Sequence, residues 1–154
     1  RYLSAAREMA ETWERMADDG DHFRLTFDKE GSWSQKYNLV WDKVWGTKVF
    51  PERIARKEVA FYLTKQQPFG LPLDSRKTYT KVDWIMWTAC LADTPEDFGR
   101  LVEPVCKYVN ETEPRVPLTD WYEAVDGKSI NMRARSVVGG FFMKMLEKEM
   151  EKSN

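Results

Sequence analysis

Four aspartates stand where a carboxylate could do chemistry: Asp42, Asp74, Asp83 and Asp120. A pair of carboxyl groups can hydrolyse a polar bond, because one protonates the leaving group while the other activates water. Asp74 lies in the densest polar stretch, Gly70 to Lys81, with Asp83 just beyond it, while Asp42 comes from an earlier segment. A pair across a cleft is therefore reasonable, and Asp42, Asp74 and Asp83 are the candidate catalytic acids. Each acid also has an ordinary role. Asp74 can close a turn or pair with Arg76, Asp83 is a first-turn acid that suits a helix dipole, and Asp120 before Trp121 can cap a helical turn. Hydroxyl chemistry is less well supplied. The single histidine, His22, makes a histidine-based triad improbable, and Thr78, Lys81 and nearby Ser75 have a spacing that equally suits a turn.

Candidate binding residues surround these acids. Trp33, Trp84 and Trp121 offer flat apolar faces with an N–H donor, suited to a sugar or a small amphipathic pocket. Lys36, Tyr37 and Lys81 add polar groups, and Asp120 adds a carboxylate. Arg76 and Arg135 can grip a substrate carboxylate through two parallel bonds, which favours an amino-acid amide over a neutral oligosaccharide. Trp41, Trp45 and Trp87 lie in apolar helical stretches and read as core. One His and two helix-embedded cysteines give no zinc spacing, no calcium loop occurs, and no glycine-rich phosphate loop appears. No metal and no cofactor are expected.

These residues must be positioned by a chain of 154 residues, the length of one domain able to bury a core without disulfides. Hydrophobic residues at 42% and charged residues at 32% indicate a globular chain, and the seven tryptophans exceed what a plain helical bundle needs. Basic and acidic residues, 24 and 25, are intermixed, so nucleic acid is not an expected partner. No apolar run approaches a membrane span, which argues against a membrane partner. Cys90 and Cys106 fall in separate helical patterns and read as buried free thiols. The chain opens at Arg1 and runs almost at once into a helix, the expected look of a piece of a longer protein.

Helical periodicity recurs six times: Leu3 to Asp18, Ser34 to Trp45, a segment opened by Pro51 and running through Leu63, Lys81 to Ala92, a segment capped by Thr94, and Ala134 to Glu151. Gly46 is a natural C-cap, and Pro104 should kink the fifth helix. A short hairpin around Phe23 to Phe27 is the only strand pattern expected. The fourth helix is apolar nearly all round and should lie inside. The charged run Lys144, Glu147, Lys148, Glu149, Glu151 and Lys152 reads as a solvated helix end. Long connections (Asp19 to Trp33, Gln67 to Thr80, Thr112 to Arg133) alternate with short ones, so the fold class is all-α, built of helical hairpins. The long connections should converge as one wall of a cleft.

The blocks GSWSQKYNLVWDKVWG, FGLPLDSRKTYTKVDWIMWTA, VPLTDWYEA and RARSVVGGFFMKML, in this order, resemble the glutaminase A family. The resemblance implies that residues 1–154 form one helical domain, the C-terminal part of a larger six-hairpin domain and about half of an α/α toroid. It further implies hydrolysis of L-glutamine to glutamate and ammonia, a small-molecule substrate, and a secreted or periplasmic setting; the remainder of a longer parent chain would then be a partner. A glycosidase-like hydrolase with paired carboxylates and a noncatalytic binding or packing module are the alternatives.

Overall fold

The computed structural model describes residues 1–153. Helices α1 (Tyr2–Ala17), α2 (Leu39–Trp45) and α3 (Glu52–Leu63) come first, followed by strand β1 (Tyr79–Lys81), which runs directly into α4 (Val82–Ala89). Helix α5 (Pro95–Glu111), strands β2 (Thr119–Glu123) and β3 (Ser129–Arg133), a 3-10 helix (Ser136–Phe142) and α6 (Met143–Ser153) complete the order.

The all-α expectation is corrected by the sheet. β1, β2 and β3 form one antiparallel sheet in that order, pairing Lys81 with Trp121 and Trp121 with Asn131. The β2–β3 hairpin turns at Asp126–Gly127, where Gly127 has φ 72°, and an Asp-Gly pair favours this because it tolerates the left-handed backbone a tight hairpin needs. Asp120 and Trp121 therefore sit on a strand, not in a loop or a helical turn. The expected hairpin at Phe23 to Phe27 is only an isolated bridge between Asp18 and Phe23.

Helix α4 is the centre, packed against α5, α2, α6 and the 3-10 helix. Val82, Ile85, Met86 and Ala89 are buried on it, as its all-round apolar pattern requires. The second helix begins at Leu39 instead of Ser34, because Ser34 and Gln35 are drawn into pairing with Asp74 and Leu73 of the second long connection. Gly46 ends α2 in the left-handed conformation, as expected. Helix α5 continues past Pro104, and Thr94 caps it by accepting a bond from the Asp97 N–H at 3.1 Å. Thr94→Ala should cost about 1 kcal/mol, read as a fall of about 2–4 °C in Tm by thermal unfolding.

Other expectations change with packing. Cys90 is buried but Cys106 is exposed, and both are free; burial and the nearby Glu147 push the Cys90 thiol up to about 12. Trp45 is 61% exposed, so it is not core. Glu147 is no solvated helix end: it is 2% exposed and held by Lys43 at 2.7 Å and Lys144 at 2.6 Å, which ties α6 to α2. Leu3, Met9 and Met16 on α1, and Phe142, Met145 and Leu146 at the other end of the chain, remain exposed.

Candidate active site

The first two long connections zip together. Gln35 N–H donates to the Leu73 carbonyl at 2.8 Å, Ser75 N–H to Trp33 O at 2.9 Å, and Ser34 bridges Asp74. The Gln35 side chain is fully engaged, donating to Leu71 O and Pro72 O and accepting from Thr88 Oγ1, each at 3.0 Å. Behind this seam, buried Glu58 accepts from Phe23 N at 2.6 Å and from the Tyr62 hydroxyl. Lys36 Nζ donates to Phe23 O, Ser34 O and Ser34 Oγ and lies 3.9 Å from Glu58. Burial pushes the Glu58 carboxyl up and the Lys36 amine down, each against the pull of the other's charge. This network anchors the first connection to α3.

In front of the seam lies a cavity of about 420 Å3 that brings Lys36, Tyr37, Asp42, Asp74, Arg76 and Trp84 together. Tyr37 stacks on Trp84 with centroids 3.9 Å apart. Asp42 accepts from Thr47 Oγ1, from Val49 N at 2.9 Å and from Phe50 N at 3.0 Å, so it organises the turn between α2 and α3. Asp74 accepts from Arg76 N, Nε and Nη2 at 2.8, 3.0 and 2.7 Å. Burial opposes ionisation of Asp74, but these Arg76 bonds outweigh it and hold the carboxyl below its ordinary value. Both acids have their oxygens spoken for.

Asp83 differs. It is 7% exposed, and its Oδ1 is buried with no hydrogen-bond partner. Asp120, wholly buried, is brought beside it by β2 and is gripped by Arg135 through Nε at 2.9 Å and through Nη2, with Lys81 Nζ at 3.9 Å. Burial first, and the Asp120 charge second, push the Asp83 carboxyl above its ordinary value. The sheet thus serves the site: β1 carries Lys81 into α4, β2 carries Asp120, and the chain leaving β3 carries Arg135. Asp83 also lines a second cavity of about 370 Å3, walled by Trp41, Trp87, Val137, Phe142 and Leu146.

Gly140 of the 3-10 helix closes over this acid. A Cβ there would stand 2.7 Å from both Cα and Cβ of Asp83 and 3.4 Å from Trp87 Nε1. Gly140→Ala should therefore lift the 3-10 helix from α4 at a cost of about 1–3 kcal/mol. Urea unfolding is the check, the midpoint falling with little change in slope.

The remaining candidates separate from both groups. Trp33 is buried against Phe61 and Tyr62, and Trp121 packs edge-on against Tyr79 with its buried Nε1 unpartnered. Thr78 donates to Glu123 while Lys81 points toward Asp120, so no hydroxyl–amine pair forms there. His22 stacks on Phe61 and meets Asp21 at 2.7 Å. Reading the sequence alone missed Glu58 and Gly140. A glutamate among the charged residues of the third helix gives no sign of burial, and a glycine within a helical pattern gives no sign of what it packs against.

The sequence matches the family described as the glutaminase A six helical-hairpin domain over residues 1–145. The chain belongs to that family. Among curated relatives, a probable glutaminase of Arthroderma benhamiae is 32% identical over 154 residues, covering 80% of this chain and 18% of that protein. Glutaminase A of Aspergillus oryzae is 30% identical over 149 residues, covering 92% of this chain and 21% of that protein. The chain spans about a fifth of the length of these family members. No solved structure matches it. Among the described residues, no helix is long and apolar enough to cross a membrane.

Proposed function

We propose that this chain carries the acid–base centre of an amide hydrolase acting on L-glutamine, with Asp83 as the catalytic carboxylate. Two observations support this: the Asp83 Oδ1 is buried without a hydrogen-bond partner, and Asp83 is among the residues that line a cavity. A carboxylate whose proton affinity is raised is a stronger base than an ordinary aspartate. Ionised Asp83 takes a proton from water, the water oxygen bonds to the amide carbon, and the carbon–nitrogen bond then breaks. The proton held by Asp83 passes to the departing nitrogen, giving ammonia and the acid that ionises to glutamate. Asp120 is a positioning residue: its charge raises the basicity of Asp83. Arg135 uses Nε and Nη2 on Asp120 and so holds that carboxylate in place.

The hairpins of this chain form part of an α/α toroid in this proposal, the exposed apolar residues of α1 and of the 3-10 helix and α6 marking where further hairpins of the domain pack. The setting is secreted or periplasmic. A glycosidase reading keeps one supporting observation: Trp84, Tyr37, Trp87, Trp41 and exposed Trp45 form a continuous aromatic strip beside the Asp83 cavity. Parallel assays of ammonia release from L-glutamine and of aryl-glycoside cleavage, on this chain and on a longer protein containing it, separate the two. Ammonia release supports the proposal. Glycoside cleavage without ammonia release overturns it.

A further inference from the structure

The cavity of about 420 Å3 does not include Asp83, and the hydrolytic step described above leaves it without a role. Its polar groups are unequal. Asp42 and Asp74 each accept three donors, Gln35 is satisfied through both ends of its amide, and Lys36 Nζ is spent on three oxygens. Arg76 is the exception among the charged groups lining it. Its Nε and Nη2 serve Asp74, whereas its Nη1 hydrogens make no bond among the described residues, and its side chain is 64% exposed. Pairing with Asp74 also fixes the plane of the guanidinium, so an incoming anion meets a fork whose rotamer is already set.

Apart from the uncharged Ser34 and Asn38, the rest of the wall is apolar and largely aromatic. Trp13, Leu25, Leu39 and Phe50 face the Tyr37–Trp84 stack, whose rings are inclined by 27°. The volume lies within the range of small-ligand sites. A wall of this kind takes a flat hydrocarbon body, and the one cation with unused donors takes a planar anion through two parallel bonds.

We propose that this cavity is a second binding site, for a small carboxylate borne on a flat apolar body, separate from the Asp83 centre. The Tyr37–Trp84 pair and Trp87 form the partition: Trp84 and Tyr37 line this cavity, and Trp87, packed on Tyr37, lines the Asp83 cavity.

The test is titration of the wild-type chain with phenylacetate, with its uncharged counterpart phenylacetamide, and with acetate, which lacks the body. Calorimetry gives the affinity, and the indole N–H signals of Trp13 and Trp84 in an amide-correlation NMR spectrum locate the ligand. Phenylacetate is expected to bind and shift both signals, with phenylacetamide and acetate each weaker by about tenfold or more. Arg76→Lys keeps the charge but loses the fork, and should weaken phenylacetate by several-fold with unchanged circular dichroism. Asp83→Asn should bind phenylacetate as the wild type does, whatever it does to amide hydrolysis. Equal binding of phenylacetate and phenylacetamide, no binding of phenylacetate, or loss of binding in Asp83→Asn would each overturn the proposal.

Discussion

Asp83→Asn should lower the rate of ammonia release from L-glutamine by about 10²–10⁴-fold, the range over which one acid–base group accelerates a reaction. The asparagine fills the same space under Gly140 but neither takes a proton from water nor delivers one to the departing nitrogen. Stability should move the other way. Burial and the Asp120 charge raise the Asp83 proton affinity in the folded chain above that of the unfolded chain. The folded state therefore holds this proton more tightly, and stability is lost as pH rises from the ordinary aspartate value through the raised one. Below the ordinary value both states are protonated and there is no penalty. Above the raised value the buried carboxylate weakens the fold, so Asp83→Asn should raise Tm there. A residue that costs stability and carries activity is the mark of a functional position. Loss of rate together with a lower Tm would instead point to a damaged fold.

Arg135→Ala should be the most destabilising of the substitutions considered. Asp120 is wholly buried, and Arg135 supplies both of its side-chain hydrogen bonds. Removing one partner of a buried pair leaves an uncompensated charge and costs about 3–5 kcal/mol. Lys81, at 3.9 Å, offers partial compensation and places the expectation at the lower end, a fall of about 10 °C in Tm. Adding Asp120→Asn to Arg135→Ala removes the stranded charge and should recover at least half of the loss. A double variant no more stable than Arg135→Ala alone would show that Arg135 acts through packing and not through its charge.

Much of the helical frame was legible because α4, apolar on nearly every side, had to be central, and because Thr94, Gly46 and Pro51 punctuate their helices by well-defined backbone rules. The joining of the first two long connections was legible as well: Tyr37, Asp74, Arg76 and Trp84 do share one cavity. The sheet was not foreseen, although Asp126–Gly127 between Thr119–Glu123 and Ser129–Arg133 is a hairpin signal; β1, at three residues, is too short for alternation to register. The last helix was expected as a single unit from Ala134, yet Gly139 and Gly140 favour the tighter 3-10 segment over Ser136–Phe142. Asp42 and Asp83 looked equivalent in the sequence. What divides them is the supply of donors: the short α2–α3 turn presents three to Asp42, while Asp83 Oδ1, under Gly140, has no hydrogen-bond partner, and the backbone N–H groups of Asp83 and Trp84 only partly offset its burial. That supply depends on packing between distant segments, which no local pattern encodes.

The most direct test of the central claim is the pH dependence of ammonia release from L-glutamine. In the proposed mechanism ionised Asp83 is the base, so the rate should rise with pH along an acid limb whose midpoint lies above the ordinary aspartate value of 3.8. That limb should vanish in Asp83→Asn and move downward in Asp120→Asn, where the neighbouring charge is gone. A limb that persists unchanged in Asp83→Asn, with the rate intact, would contradict the account and return Asp83 to a purely structural role.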